Sequence, residues 1–159
     1  MTDFPQTDVF SSIVWATDGA GASLAGSRFV RETCERYGSR LRIVHVAPTL
    51  YTAADERRIA RLKALTSSLR RHGVDASLHV VRGAIGSPAR HITEVARMSQ
   101  ATLVIVGTRG RSPVVSVVAG SVAQRLMAEA SCPVLVLPAA PVAADGRQPA
   151  VAPALAAPA

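Results

Sequence analysis

Along the chain, short apolar runs alternate with longer stretches in which apolar residues return every three or four positions. Residues 12–17 (SIVWAT), 41–46 (LRIVHV), 76–81, 102–106 (TLVIV) and 134–137 (VLVL) have the length and character of strands. Between them, Ala22, Ala25, Phe29, Val30 and Cys34 recur at helical spacing as far as Gly38. Ile59, Leu62, Leu65 and Leu69 mark a second helix, ended by Gly73. A third opens at Ser87-Pro88, with proline in the first helical position, and carries Ile92, Val95 and Ala96. A fourth runs from about Ser121 to Ala130. The run 102–106 is apolar at nearly every position, which suits a parallel strand buried on both faces. Strict alternation of strand and helix predicts an α/β fold: a parallel sheet with helices on both faces and right-handed crossovers.

The ends break this rhythm. Residues 1–10 read as a disordered leader and 11–138 as one domain. Residues 139–159 are almost only Ala, Pro and Val, apart from Asp145, Gly146, Arg147 and Gln148, and read as a disordered tail. The whole chain has 159 residues, of which 48% are apolar. A chain of that length buries about 70% of its unfolded surface, enough to fold without disulfides or metal. Cys34 and Cys132 are too few for a disulfide framework and read as small buried hydrophobes. No Cys-x-x-Cys and no histidine pair has the spacing of a zinc site. The first residues lack the basic start and apolar run of a signal peptide, and no apolar stretch is long enough for a membrane helix. The expectation is a cytoplasmic protein.

The net charge is +7, carried by 17 arginines and one lysine among the 18 basic residues. Such a surface attracts polyanions. The only cluster is Arg57, Arg58, Arg61, Lys63, Arg70 and Arg71, all on the second predicted helix, where it reads as a solvated face. Aromatic residues for base stacking are few and not interleaved with it, which argues against nucleic acid.

The chemistry concentrates after the fourth strand. Gly107, Gly110, Gly120 and Ser121 form Gly-x2-Gly-x9-Gly-Ser. Gly107 and Gly110 allow positive φ and let a ligand approach without a Cβ in the way. Ser121 stands at the expected N-cap of the fourth helix, whose free N–H groups and partial positive charge favour an anion. Its hydroxyl could cap the helix or bind a phosphate oxygen. The P-loop pattern is absent, and Leu24 stands where the dinucleotide fingerprint begun by Gly19 and Gly21 needs a third glycine.

These residues resemble the universal stress proteins, whose nucleotide-binding members carry this glycine pattern after the fourth strand. Asp18-Gly19 after the first strand, His45-Val46 closing the second and Cys132-Pro133-Val134 opening the fifth are also similar to that family. The resemblance covers roughly residues 12–138 and implies a five-stranded parallel sheet in the order 3-2-1-4-5, often in a homodimer. It implies ATP, with or without Mg²⁺, as the ligand. Asp18 would contact the base or ribose, and Val46 would meet adenine through its backbone. Gly107, Thr108, Arg109, Gly110, Gly120, Ser121 and Val122 would surround the ribose and phosphates. Asp18 has an alternative reading as a turn or cap residue, and Arg109 and Arg111 as exposed loop arginines. Ala123 departs from the pattern where a second hydroxyl residue often stands.

Three functions follow from these observations. One is an ATP-binding regulatory protein of the stress-response type with slow or no hydrolysis. The second is a slow ATPase or phosphotransferase. It is weakened because no Asp or Glu lies between Ala101 and Ala128, leaving only Asp18 to hold a metal or position water. The third is a nucleotide-independent interaction module, against which the intact glycine motif argues. An apolar fifth strand, Val134–Leu137, at the sheet edge predicts a homodimer paired through it.

Overall fold

The computed structural model describes residues 8–21, 23–82, 86–107 and 120–138. Strands β1 (Ser12–Ala16), β2 (Arg40–Val46), β3 (Asp75–Val81), β4 (Leu103–Gly107) and β5 (Val134–Leu137) alternate with helices α1 (Ser27–Tyr37), α2 (Ala53–Arg71), α3 (Pro88–Met98) and α4 (Ser121–Glu129). All pairings are parallel, and the strands lie in the order β3-β2-β1-β4-β5. The expected sheet and strand order are those found.

The period of two along each strand divides the core. Ile13 and Trp15 face one side with Val30 and Cys34 of α1 and Leu62 and Leu69 of α2. Val14 and Ala16 face the other with Ile92 and Val95 of α3 and Ala123 and Leu126 of α4. β1 and β4 sit inside the sheet, which explains why their runs are apolar at both parities. Trp15 is 1% exposed, and truncating it to alanine would cost about 3–5 kcal/mol.

Local signals set the ends of the helices. Thr52 and Asp55 form a reciprocal capping box at the start of α2. Ser87 and Pro88 open α3 as N-cap and first helical residue. Gly38 closes α1 at φ +62°, a left-handed conformation that glycine adopts without strain.

Three details differ from the expectations. Helix α1 begins at Ser27, after a 3-10 turn at Ser23–Gly26, and Phe29 is 44% exposed; Val30, Thr33 and Cys34 form its buried face. A Cβ on Gly26 would lie 2.7 Å from Leu137 Cδ1, so a side chain there would require the Leu137 side chain to shift. The N-cap of α4 is Gly120, not Ser121, and among the described residues no side chain caps this helix. Within the expected leader, Asp8 Oδ1 accepts from the Phe10 N–H, and the Phe10 ring stacks on Tyr37 at 4.4 Å.

β1 lies between β2 and β4, so the direction of winding reverses there. The helices leave toward opposite faces at this point, and a crevice opens beyond the carboxyl ends of the strands.

Candidate functional site

A cleft of about 570 Å³ occupies that crevice. Its size falls in the usual range for small-molecule sites. Ala16, Val46 and Gly107, at or near the carboxyl ends of β1, β2 and β4, line it. On the β4 side it is bounded by Gly120, Ser121 and Val122 at the start of α4. On the β2 side it is bounded by Ala47, Pro48, Thr49 and by Arg58 of α2. Asp18, Ala20 and Ser23 bring in the turn after β1, and Gly86 and Pro88 the start of α3.

The β4 side ends on the start of a helix. Gly107 is not in a left-handed conformation, so the freedom expected for it is not what it uses; a Cβ there would meet nothing within 4 Å among the described residues. Among those residues helix α4 has no side-chain cap, and Ser121, its first residue, is exposed. Its first N–H groups therefore lack the acceptor that an N-cap side chain would supply.

The β1 turn is held from several directions. One carboxylate oxygen of Asp18 accepts from the Ala20 N–H at 2.9 Å and also meets the Ser23 hydroxyl. The alternative reading of Asp18 as a turn residue therefore has a structural basis, and the residue still lines the cleft. Thr17 Oγ1 accepts from the Gly19 N–H at 3.2 Å. Gly19 has φ +71°, and Arg61 of α2 donates to its carbonyl at 3.1 Å.

The β2 side carries buried polar groups. His45 is 2% exposed, with Nδ1 3.1 Å from the Thr17 carbonyl. A carbonyl can only accept, so Nδ1 is the donor. The buried Nε2 has no hydrogen-bond partner among the described residues. Asp55 is buried, and the hydroxyl and N–H of Thr52 hold its carboxyl below the usual range, with Arg58 and His45 adding to the effect. Arg58 Nη1 lies 3.6 Å from Asp55 Oδ1.

Comparison with known proteins identifies this architecture. The model of the universal stress protein family matches residues 10–138. The chain belongs to that family. It is 30% identical over 138 residues to a universal stress protein of Thermus aquaticus, covering 81% of this chain and 99% of the relative. The structure of the Archaeoglobus fulgidus universal stress protein in complex with dAMP is 25% identical, covers 81% of this chain and 98% of that one, and superposes with a TM-score of 0.62. A universal stress protein in complex with cAMP, 22% identical, covers 83% and 99% of the two chains with a TM-score of 0.63 and supports the fold alone.

Of the residues singled out from sequence, Asp18, Val46, Gly107, Gly120, Ser121 and Val122 come together around the cleft. Thr108, Arg109 and Gly110 lie outside the described residues. Sequence reasoning missed Arg58, His45 and Gly86 as cleft residues. Arg58 was visible only as one member of a basic helix, and no spacing rule tells which member faces inward. His45 could be read only as the neighbour of Val46.

Proposed function

We propose that this universal stress protein is an ATP-binding regulatory protein. The nucleoside would lie against Asp18 and Val46, and the phosphates against Gly107, Thr108, Arg109, Gly110, Gly120, Ser121 and Val122. The observation that carries this reading is the convergence of two segments, about ninety residues apart in sequence, on one cleft at the switch point. One segment brings the carboxylate of Asp18, the other Gly107 and the start of α4. The dAMP held by the A. fulgidus relative supports an adenine nucleotide as the ligand class. A side chain donates one hydrogen bond per hydroxyl, whereas a helix start offers several N–H groups, so the missing hydroxyl at Ala123 is a small loss.

Hydrolysis on this reading is slow or absent. Phosphoryl transfer needs a group to position water and carboxylates or phosphates to hold Mg²⁺. Asp18 is the one carboxylate lining the cleft among the described residues, and one of its oxygens is already engaged by the turn. Any Mg²⁺ would be carried mainly by the phosphates. Turnover above about 1 s⁻¹ would contradict this reading. We place the protein in the cytoplasm, where free thiols persist; both cysteines are free. Among the described residues, no helix is long and apolar enough to cross a membrane.

Mass spectrometry of the small molecules released from purified, denatured protein tests the ligand. Calorimetry with ATP tests the site, because Gly110→Val puts a side chain where phosphate is expected to pass. Equal affinity in wild type and variant removes the glycine loop from the site.

A further inference from the structure

The basic cluster of α2 is not used by the glycine-loop reading, yet one of its members enters the cleft. Arg58 is the only Arg or Lys among the described residues that line it. Its side chain is 37% exposed, so its charge is partly shielded from water. Asp55 lies 3.6 Å from the guanidinium. Asp55 is itself fixed by the capping box: its Oδ2 accepts from the Thr52 N–H at 2.9 Å and the Thr52 hydroxyl at 2.6 Å. The stem of Arg58 also forms the surface on which the β1 turn rests, since a Cβ on Gly19 would lie 3.1 Å from Arg58 Cβ. A buried carboxylate thus lies beside the head group, and the Asp18–Gly19 turn packs on the stem.

The sheet order decides which half of a ligand this group meets. α4 follows β4 and packs on β5, whereas α2 follows β2 and packs on β3. β1 lies between the two. On the nucleotide reading above, a ligand with its phosphates at the start of α4 reaches α2 by extending its nucleoside across β1. We propose that Arg58 contacts the nucleoside half of the ligand, where its planar guanidinium lies against the purine or donates to its ring nitrogens. This rests on the nucleotide reading above. A guanidinium is suited to the role because it is planar, weakly hydrated and permanently charged, and it stacks on aromatic faces as an ammonium does not.

The test is calorimetry with ATP and with adenosine on wild type, Arg58→Met and Arg58→Lys. Methionine keeps an unbranched stem beneath Gly19 and removes the guanidinium, and a urea midpoint near wild type checks that the fold is intact. Loss of the contact should weaken ATP and adenosine binding by the same factor, about 10-fold. Lysine should not restore it in full. The ratio of wild-type to Met-variant affinity for ATP should be the same at 0.1 M and 0.5 M salt. Unchanged ATP affinity in the Met variant overturns the proposal. So does a loss for ATP with none for adenosine, or a ratio that collapses at high salt, since either places Arg58 on phosphate. Wild-type protein that binds no nucleotide brings down the functional reading itself, and that result is separate from any behaviour of the variants.

Discussion

Gly19 joins the stability of the domain to the shape of its cleft, and replacing it with alanine tests both. Its φ of +71° lies in the left-handed region, where alanine costs about 1–2 kcal/mol. The added Cβ would stand 3.1 Å from Arg58 Cβ, 3.3 Å from Leu62 Cδ1 and 3.4 Å from the Arg58 carbonyl oxygen. Leu62 is fully buried, and Arg58 Cβ is the first carbon off a helix, so neither can step aside freely. That crowding adds about 1 kcal/mol. Alanine also restricts the unfolded chain, which returns about 0.4–1 kcal/mol. The net loss is about 2 kcal/mol. In urea, with a slope of about 2 kcal/mol per molar, the midpoint should fall by about 1 M without a change of slope. Gly21→Ala is the control, because a Cβ there meets nothing within 4 Å among the described residues and its φ is not positive; it should stay within about 0.5 kcal/mol of wild type. Equal midpoints for the two variants would refute the view that α2 sets the turn. ATP affinity should fall in the Gly19 variant alone, because Asp18 moves with the turn.

Thr52→Ala removes one half of the α2 capping box and should cost about 1 kcal/mol in the same urea assay. Asp55 has a folded-state pKa below its unfolded one, so its stabilisation is present above about pH 4 and is lost as pH falls through the folded value; Asp55→Asn should flatten the acid limb of stability against pH. Burial pushes the Cys34 thiol up to about 11, so at pH 8 an alkylating reagent should leave it unmodified until urea unfolds the protein, as read by mass spectrometry of the peptides. We also expect a homodimer paired through Val134–Leu137, because β5 ends the sheet and its apolar residues are only half-buried. Light scattering at micromolar concentration should give twice the chain mass; a monomer mass that persists after deleting residues 139–159 counts against it.

The sequence by itself determined the order of elements and the kind of sheet. Residues 13–16 and 103–106 are apolar at both parities, and such short runs, alternating with helix-length stretches, suit parallel strands covered on both faces. Pro88 and Gly38 marked a helix start and a helix stop through backbone chemistry that operates within a few residues. Gly107 and Gly120 were legible through their spacing, Gly-x2-Gly-x9-Gly-Ser, rather than through a backbone conformation that requires glycine. Other features depended on distant parts of the chain. The spacing of Ala25 and Phe29 fitted one helix, but Ala25 lies in a 3-10 turn, Ser23–Gly26, packed beside Leu137 of β5, and α1 starts only at Ser27. Ser121 had the right chemistry for an N-cap, yet the backbone at Gly120, φ −53° and ψ 157°, takes that position. Arg58 and Arg61 looked like members of one solvated face. Only the packing of α2 against the β1 turn turns Arg58 into the cleft and brings Arg61 to the Gly19 carbonyl. Periodicity reports which face of a helix is buried, because burial follows from hydrophobicity along the chain. Which polar residue at the margin of that face meets a cleft depends on where the neighbouring loop passes, and that position is fixed only when the sheet assembles.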